Sequence, residues 1–256
     1  MLTDRHKNSI NLIPGPRSIK EAILYNKIHI VELWISKGKE SPLKKEIIGL
    51  AGKKGIPVFH KKAPVLDDIL PGTNHQGIVA IAGDYQYTDL ETVIKNSRIH
   101  TEKALLIAVD HVTDEGNLGA IIRTAAFFGA DGLILPKDRS AKVTPRVMKN
   151  SSGGYTHLPI SIVVNLGRTL DFLIKDGFWI IGAAGEGRES IYTFDWRRDL
   201  LLVLGNEEKG ISPSIKKRCH ELVNIPVSGV IEALNVSVAA GVILSEIIRQ
   251  RACKEQ

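Results

Sequence analysis

The apolar positions of this chain fall into two blocks of different character. In the first, the short runs VELWIS (31–36), PVF (57–59) and GIVAIAG (77–83) alternate with stretches at 18–26 and 41–54 that read as short helices. Residues 1–83 therefore look like a small alternating α/β unit. From 84 to 100 the chain turns polar, with at most a short helix, and the linker is placed there. The second block, 101–256, opens on ALLIAVD and alternates onward. It predicts a strand at 104–110, a helix at 117–128, strand GLILP, helices near 142–150 and 168–176, strands FWIIGAA and LLVLG, a helix at 213–219, strand ELVNIP and a helix at 232–250. Near-continuous apolar strands separated by helices mean a parallel sheet covered on both faces. The last helix carries Leu234, Val238, Gly241, Val242, Ser245 and Ile248 at helical spacing, a stripe that belongs to the core or to a subunit interface.

Composition narrows the class. A chain of 256 residues that is 43% hydrophobic and 24% charged is an ordinary globular protein, so disordered, collagenous and coiled-coil classes drop out. Two cysteines, Cys219 and Cys253, build neither a disulfide framework nor a four-ligand zinc site. No apolar run approaches the roughly 20 residues of a membrane span, and the opening MLTDRHKNSINLIPG lacks the apolar centre of a secretion signal. The expected location is the cytoplasm, with no membrane partner and no metal.

Charge adds a direction. The 34 basic and 28 acidic residues leave +6, and the whole excess sits in residues 1–83, which hold 13 Lys/Arg against 7 Asp/Glu; the remainder holds 21 of each. Such asymmetry suits a phosphate-rich partner, RNA above all, because each neutralised phosphate releases counterions. The alternative is a solvated lysine surface. A second basic cluster, Lys137, Arg139, Lys142, Arg146 and Lys149, places 142, 146 and 149 on one helical face.

A parallel α/β sheet carries its site in the loops at the carboxyl ends of its strands. Residues 205–210 have the GxxxxG spacing of a phosphate loop, but Ile211-Ser212 stands where Lys-Ser/Thr belongs, and GAAGEG at 182–187 is not GxGxxG. HExxH and GxSxG are absent from the sequence as well. Three strand–turn–helix stretches remain. In the first, DHVTDEGNLGAIIRTAAFFGADGLILP, Asn117 reads as a helix N-cap and Arg123 as a surface cation about 9 Å further up the helix, within reach of a phosphate or an oxyanion. The second is LLVLGNEEKGIS. The third, IPVSGVIEALNVSVAAG, places the polar pair Asn235 and Ser237 in an otherwise apolar helix start.

Together these stretches resemble the three motifs of the SpoU/TrmH family of RNA ribose 2′-O-methyltransferases, in the SPOUT superfamily, over nearly all of residues 101–256. KDRSAKVTPRVMKNSSGGYTHLPI is similar to the bacterial large-subunit rRNA guanosine methyltransferases of that family, and residues 1–83, with HQGIVAI, to their small RNA-binding domain. The resemblance implies an α/β fold whose C-terminal parallel-sheet domain carries a deep trefoil knot, behind a small α/β RNA-binding domain. It implies S-adenosylmethionine as cofactor, contacted by Gly205, Ile225 and Leu234, a homodimer, and polar active-site positions at Asn117, Arg123, Glu207 and Asn235. Many relatives have Ser-Leu-Asn where this chain has Ala233-Leu234-Asn235, so a hydroxyl is missing here.

The implied reaction is in-line attack of a ribose 2′-hydroxyl on a sulfonium methyl carbon. Alignment to about 3 to 3.5 Å is the main task. A guanidinium with a pKa of about 12.5 or more stays charged, so Arg123 is better suited to stabilising an alkoxide and clamping a phosphate than to removing a proton. Glu207 is a candidate proton acceptor or cofactor-orienting group, Asn117 and Asn235 hold loop and ribose geometry, and the general base is left unassigned. The alternatives are a transfer-RNA substrate and a non-catalytic RNA-binding or ribosome-assembly factor.

Overall fold

The computed structural model describes residues 11–36, 41–100, 102–230 and 233–252. Cys253 lies outside the described residues. The chain divides into two compact units, residues 1–86 with 143–156, and residues 87–142 with 157–256.

The first unit is built on a four-stranded mixed sheet. Its elements run β1 (Asn11–Pro14), α1 (Pro16–Tyr25), β2 (Ile28–Ser36), α2 (Pro42–Lys53), β3 (Val58–Lys61), α3 (Ala63–Ile69) and β4 (Ile78–Tyr85). The strand order is β1-β4-β2-β3, with only the β2–β3 pair parallel. Each of the three helices has proline within its first two positions, where a missing N–H is harmless, and Ser41 caps α2 by accepting from Lys44 N at 3.2 Å. Ile19, Ile23, Leu33, Ile47 and Leu66 fill the core. Lys44, one of the basic residues of this unit, is buried, and its Nζ donates to the Ser36 carbonyl at 2.9 Å. Helix α6 (Pro145–Asn150) packs against β1. Thr144 caps it, so Lys142 precedes the helix and does not share a helical face with Arg146 and Lys149.

The second unit is a seven-stranded parallel sheet. Its elements are α4 (Leu90–His100), β5 (Leu105–Val109), α5 (Glu115–Phe127), β6 (Gly132–Pro136), β7 (Ile160–Val163), α8 (Leu166–Lys175), β8 (Trp179–Ala183), β9 (Glu189–Ser190), β10 (Leu200–Leu204), α9 (Pro213–Lys216), β11 (Glu221–Asn224) and α10 (Val236–Ala252). A one-turn helix, α7 (Gly154–His157), precedes β7. All five residues of β5, β6 and β10 are buried, as the unbroken apolar runs require. The strand order is β7-β6-β5-β10-β8-β11-β9. From β5 the chain builds outward through β6 and β7, while β10 takes the other side of β5. The junction of β5 and β10 is therefore a topological switch point.

Several elements differ from the sequence reading. The polar stretch at 84–100 contains the end of β4 and the whole of α4, which packs on β6 and β7. Strands β1, β7 and β9 and helix α3 are too short for periodicity to reveal. On α10 the core side is Ala240, Ile243, Leu244 and Ile247, while Leu234, ahead of the helix, and Val238 are about half exposed. Of the two readings of that stripe, core does not apply to these two positions. The helix end is fixed by Arg251, whose guanidinium donates to the carbonyls of Trp196, Lys103, Ala104 and Arg198.

Candidate active site

The loop after β5 is shaped by a buried carboxylate. Asp110 is 1% exposed; its Oδ1 lies 2.6 Å from His111 Nδ1 and its Oδ2 accepts from Ser212 N at 2.6 Å, which ties this loop to the one after β10. His111 turns the chain with φ 62°. The helix N-cap is Asp114, not Asn117: Asp114 Oδ1 accepts from Asn117 N at 2.7 Å, and α5 starts at Glu115. Both are good capping types three residues apart, and the carboxylate takes the cap. Asn117 then sits in the first turn with its side chain free for another task.

The loop after β10 is a tight turn closed by paired backbone bonds between Asn206 and Gly210, at 3.0 and 2.9 Å. Gly205 packs so closely on it that a Cβ would lie 2.3 Å from the Gly210 carbonyl carbon. Asn206 is a hub that the sequence reading missed. Its Oδ1 accepts from the amides of Glu208 and Lys209, and its Nδ2 donates to the His111 carbonyl at 2.8 Å and to Glu207 Oε2 at 3.1 Å. The local signal was an asparagine leading a turn, a residue type that bonds the backbone two residues on.

Three of the four expected polar residues meet. Asn117 Nδ2 donates to Glu207 Oε1 at 3.0 Å, and Asn235 Nδ2 donates to Asn117 Oδ1 at 2.9 Å. Asn235 immediately precedes α10, and its Oδ1 accepts from the amide and hydroxyl of Ser237 at 2.8 and 2.6 Å. The polar pair at that helix start is thus satisfied, with Ser237 supporting Asn235. Arg123 is exposed on α5, and among the described residues its guanidinium has no hydrogen bond or ion pair.

Beside this chain of amides lies a cleft of about 540 Å³, within the size of a small-molecule or cofactor pocket. It is walled by residues following β8, β10 and β11 and by the start of α10. Gly205, Ile225 and Leu234 all line it, as does Glu207, whereas Asn117, Asn235 and Arg123 do not. Its walls combine bare backbone at Gly185, Gly205 and Gly229 with apolar side chains, a lining suited to a ligand held by main-chain groups around an apolar body. At its rim Lys216 pairs with Glu186, whose carboxyl this bond holds below the usual range. The pKa of Cys219 is pushed up to about 12, first by burial and then by the charge of Asp110. Among the described residues no group of three His, Cys, Asp or Glu side chains is placed to hold a metal ion, and no helix is long and apolar enough to cross a membrane.

The chain is similar to known proteins along nearly its whole length. Residues 104–245 match the model of the SpoU rRNA Methylase family, and residues 12–88 match that of RNA 2′-O ribose methyltransferase substrate binding. The 23S rRNA (guanosine-2′-O-)-methyltransferase RlmB of Pseudomonas putida is 35% identical over 248 residues, 96% of this chain and 99% of that protein. RlmB of Neisseria meningitidis is 37% identical over 245 residues, 95% and 97% of the two chains. The crystal structure of the SpoU methyltransferase AviRb from Streptomyces viridochromogenes, in complex with the cofactor AdoMet, superposes with a TM-score of 0.79 at 27% identity, over 94% of this chain and 90% of that one. With the three loops joined at one cleft and relatives aligned almost end to end, the chain belongs to the SpoU rRNA methylase family.

Proposed function

We propose that this enzyme transfers the methyl group of S-adenosylmethionine to the ribose 2′-hydroxyl of a guanosine in large-subunit ribosomal RNA, in the cytoplasm and as a homodimer. The observation that carries the reading is the bonded series Asn235–Asn117–Glu207–Asn206, which joins the three motif loops at the edge of a cofactor-sized cleft. The RlmB relatives, matched over nearly their full lengths, supply the substrate class.

Gly205, Ile225 and Leu234 hold the cofactor through backbone and apolar contacts. When bound, S-adenosylmethionine supplies a methyl carbon made electrophilic by its sulfonium. Glu207 receives one side-chain amide on each carboxylate oxygen, which fixes its orientation toward the cleft. It then accepts a proton or orients the ligand without rotamer loss at the moment of reaction. Asn117 and Asn235 hold the loops in register. Arg123 stays charged, donates to the forming alkoxide and clamps a neighbouring phosphate. Its exposure and lack of described protein partners suit a group reserved for substrate.

The trefoil knot belongs to the same reading. In its support, β10 and its loop lie between β5 and β8, and α10 packs back against α5, setting the end of the chain beside its first motif. For the homodimer, the half-exposed Val238 offers an apolar position in the first turn of α10.

The test is incubation with methyl-labelled S-adenosylmethionine and total RNA lacking the modification, resolved by size. Label in large-subunit RNA is expected. Label in transfer RNA would redirect the substrate, and RNA binding without label in any species would overturn the catalytic reading.

A further inference from the structure

From Lys53 to Lys62 the chain reads KKGIPVFHKK, in which four lysines and a histidine surround one phenylalanine and no acid intervenes. The fold turns this run into a surface. Strand β3 is the edge of the first unit's sheet and pairs in parallel with β2, setting Trp34 opposite Phe59 and Ser36 opposite Lys61. Cross-strand partners share a face, as do residues two apart on a strand, so Trp34, Phe59 and Lys61 form one group. Lys61 Nζ lies 4.7 Å from the Trp34 ring centroid and 5.7 Å from that of Phe59. The indole edge is fixed by Glu32, whose Oε1 accepts from Trp34 Nε1 at 2.7 Å.

Phe59 contributes little to the core, being 44% exposed, and Lys61 is the cation beside it; Lys53, Lys54, His60 and Lys62, its neighbours in sequence, are exposed as well. An open aromatic ring with a cation beside it matches the chemistry of a nucleotide: the ring stacks on a base of any identity, and the ammonium group neutralises an adjoining phosphate. Base faces are hidden inside an A-form duplex, so the matching RNA is a loop or another unpaired segment. We propose that Trp34, Phe59 and Lys61 form a stacking platform for an unpaired base of the RNA substrate, with the Lys61 ammonium group beside the rings to meet the adjoining phosphate. The proposal rests on the reading of the substrate as RNA and goes beyond it by naming the surface and the state of the RNA it takes.

The test uses the full-length protein, a short fluorescein-labelled oligouridine, and a labelled duplex of the same length. The protein should bind the single strand more tightly than the duplex. F59A and K61A should each weaken single-strand binding about tenfold, F59W should restore it, and F59L should not. Binding of the single strand by F59A and F59L at the unmodified protein's affinity would overturn the platform, as would a loss that F59W does not restore. Methyl transfer to ribosomal RNA, measured on the same variants, separates the two readings. If the unmodified protein transfers no methyl group while oligouridine binding still depends on Phe59, the proposed function fails and the platform stands. If it methylates RNA while F59A neither loses oligouridine nor raises KM, the platform alone fails.

Discussion

Asn117 Nδ2 donates to Glu207 Oε1 at 3.0 Å, a bond between residues ninety positions apart in sequence. It makes the first and second motif loops one structure, and its polarity is testable. In Asn117→Asp a carboxylate would face the Glu207 carboxylate in place of a donor, and like charges at this distance repel. N117D should therefore lose more turnover than N117A, by about tenfold or more. Steady-state kinetics on the two variants, with circular dichroism to confirm folding, checks the order; equal losses would mean that the added carboxylate does not face Glu207.

Arg123 should behave differently from the cleft lining. R123A is expected to abolish turnover while leaving S-adenosylmethionine affinity within a few-fold, because the exposed guanidinium lies outside the lining of the cleft. Calorimetric titration alongside the methyl-transfer assay measures both. A large loss of cofactor affinity would make the residue structural.

Gly205→Ala should damage cofactor binding and stability together. The added methyl would lie 2.3 Å from the Gly210 carbonyl carbon, in backbone that cannot yield cheaply. A loss of about 1 to 3 kcal/mol, the usual range for overpacking, is expected in denaturant titrations, with at least a tenfold weaker cofactor Kd. Unchanged affinity would show that the loop can relax.

The lysines of the first unit divide into two kinds. Reversing Lys45, Lys53 and Lys54, all exposed, should weaken RNA binding and flatten its dependence on salt, since each lost phosphate contact removes about 0.9 from the slope. Lys44→Glu should instead destabilise the unit, because it places a carboxylate against the Ser36 carbonyl that the ammonium now satisfies. An unchanged salt slope in the triple variant would move the RNA surface elsewhere.

Stability should carry an acid-side signature from Glu246. Its buried carboxylate accepts two bonds from Arg249, both 2.7 Å, and one from Gln250, and these hold its pKa below the usual value, Arg249 contributing most. A folded-state pKa lowered in this way gives stability that is complete above the ordinary glutamate range and is lost as pH falls through the depressed value. E246Q should lower stability by about 1 kcal/mol at neutral pH. The difference from the unmodified protein should shrink on acidification, as followed by thermal melts across pH; a difference independent of pH would contradict the assignment.

Much of this architecture is legible in the chain itself. The runs at β5, β6 and β10 are unbroken apolar stretches because both faces of the sheet are covered, and a reader of the sequence sees them directly. The polar pair Asn235 and Ser237 stands out in an apolar helix start, while Asn117 and Glu207 are marked as site positions by the resemblance of their motifs to the family's. Their bonding does not follow from local sequence, since each partner comes from a different loop. Asp114 and Asn117 compete for one cap, and only the backbone path decides between them. Lys44 looks like its exposed neighbours until the Ser36 carbonyl is brought beneath it. Strand β7 has four residues, too few for periodicity, and it exists because β6 offers it a ladder. Helix α10 is apolar on two sides, so its pattern does not say which side meets the core.

The chemical form of the transferred methyl group tests the central claim most directly. Ribosomal RNA labelled by the enzyme should yield, after alkaline hydrolysis, an alkali-resistant dinucleotide carrying the label on the ribose of guanosine, because a methylated 2′-oxygen can no longer attack the adjacent phosphate. Label recovered on a free base or on an ordinary mononucleotide would contradict ribose methylation, whatever the arrangement of Asn117, Glu207 and Asn235.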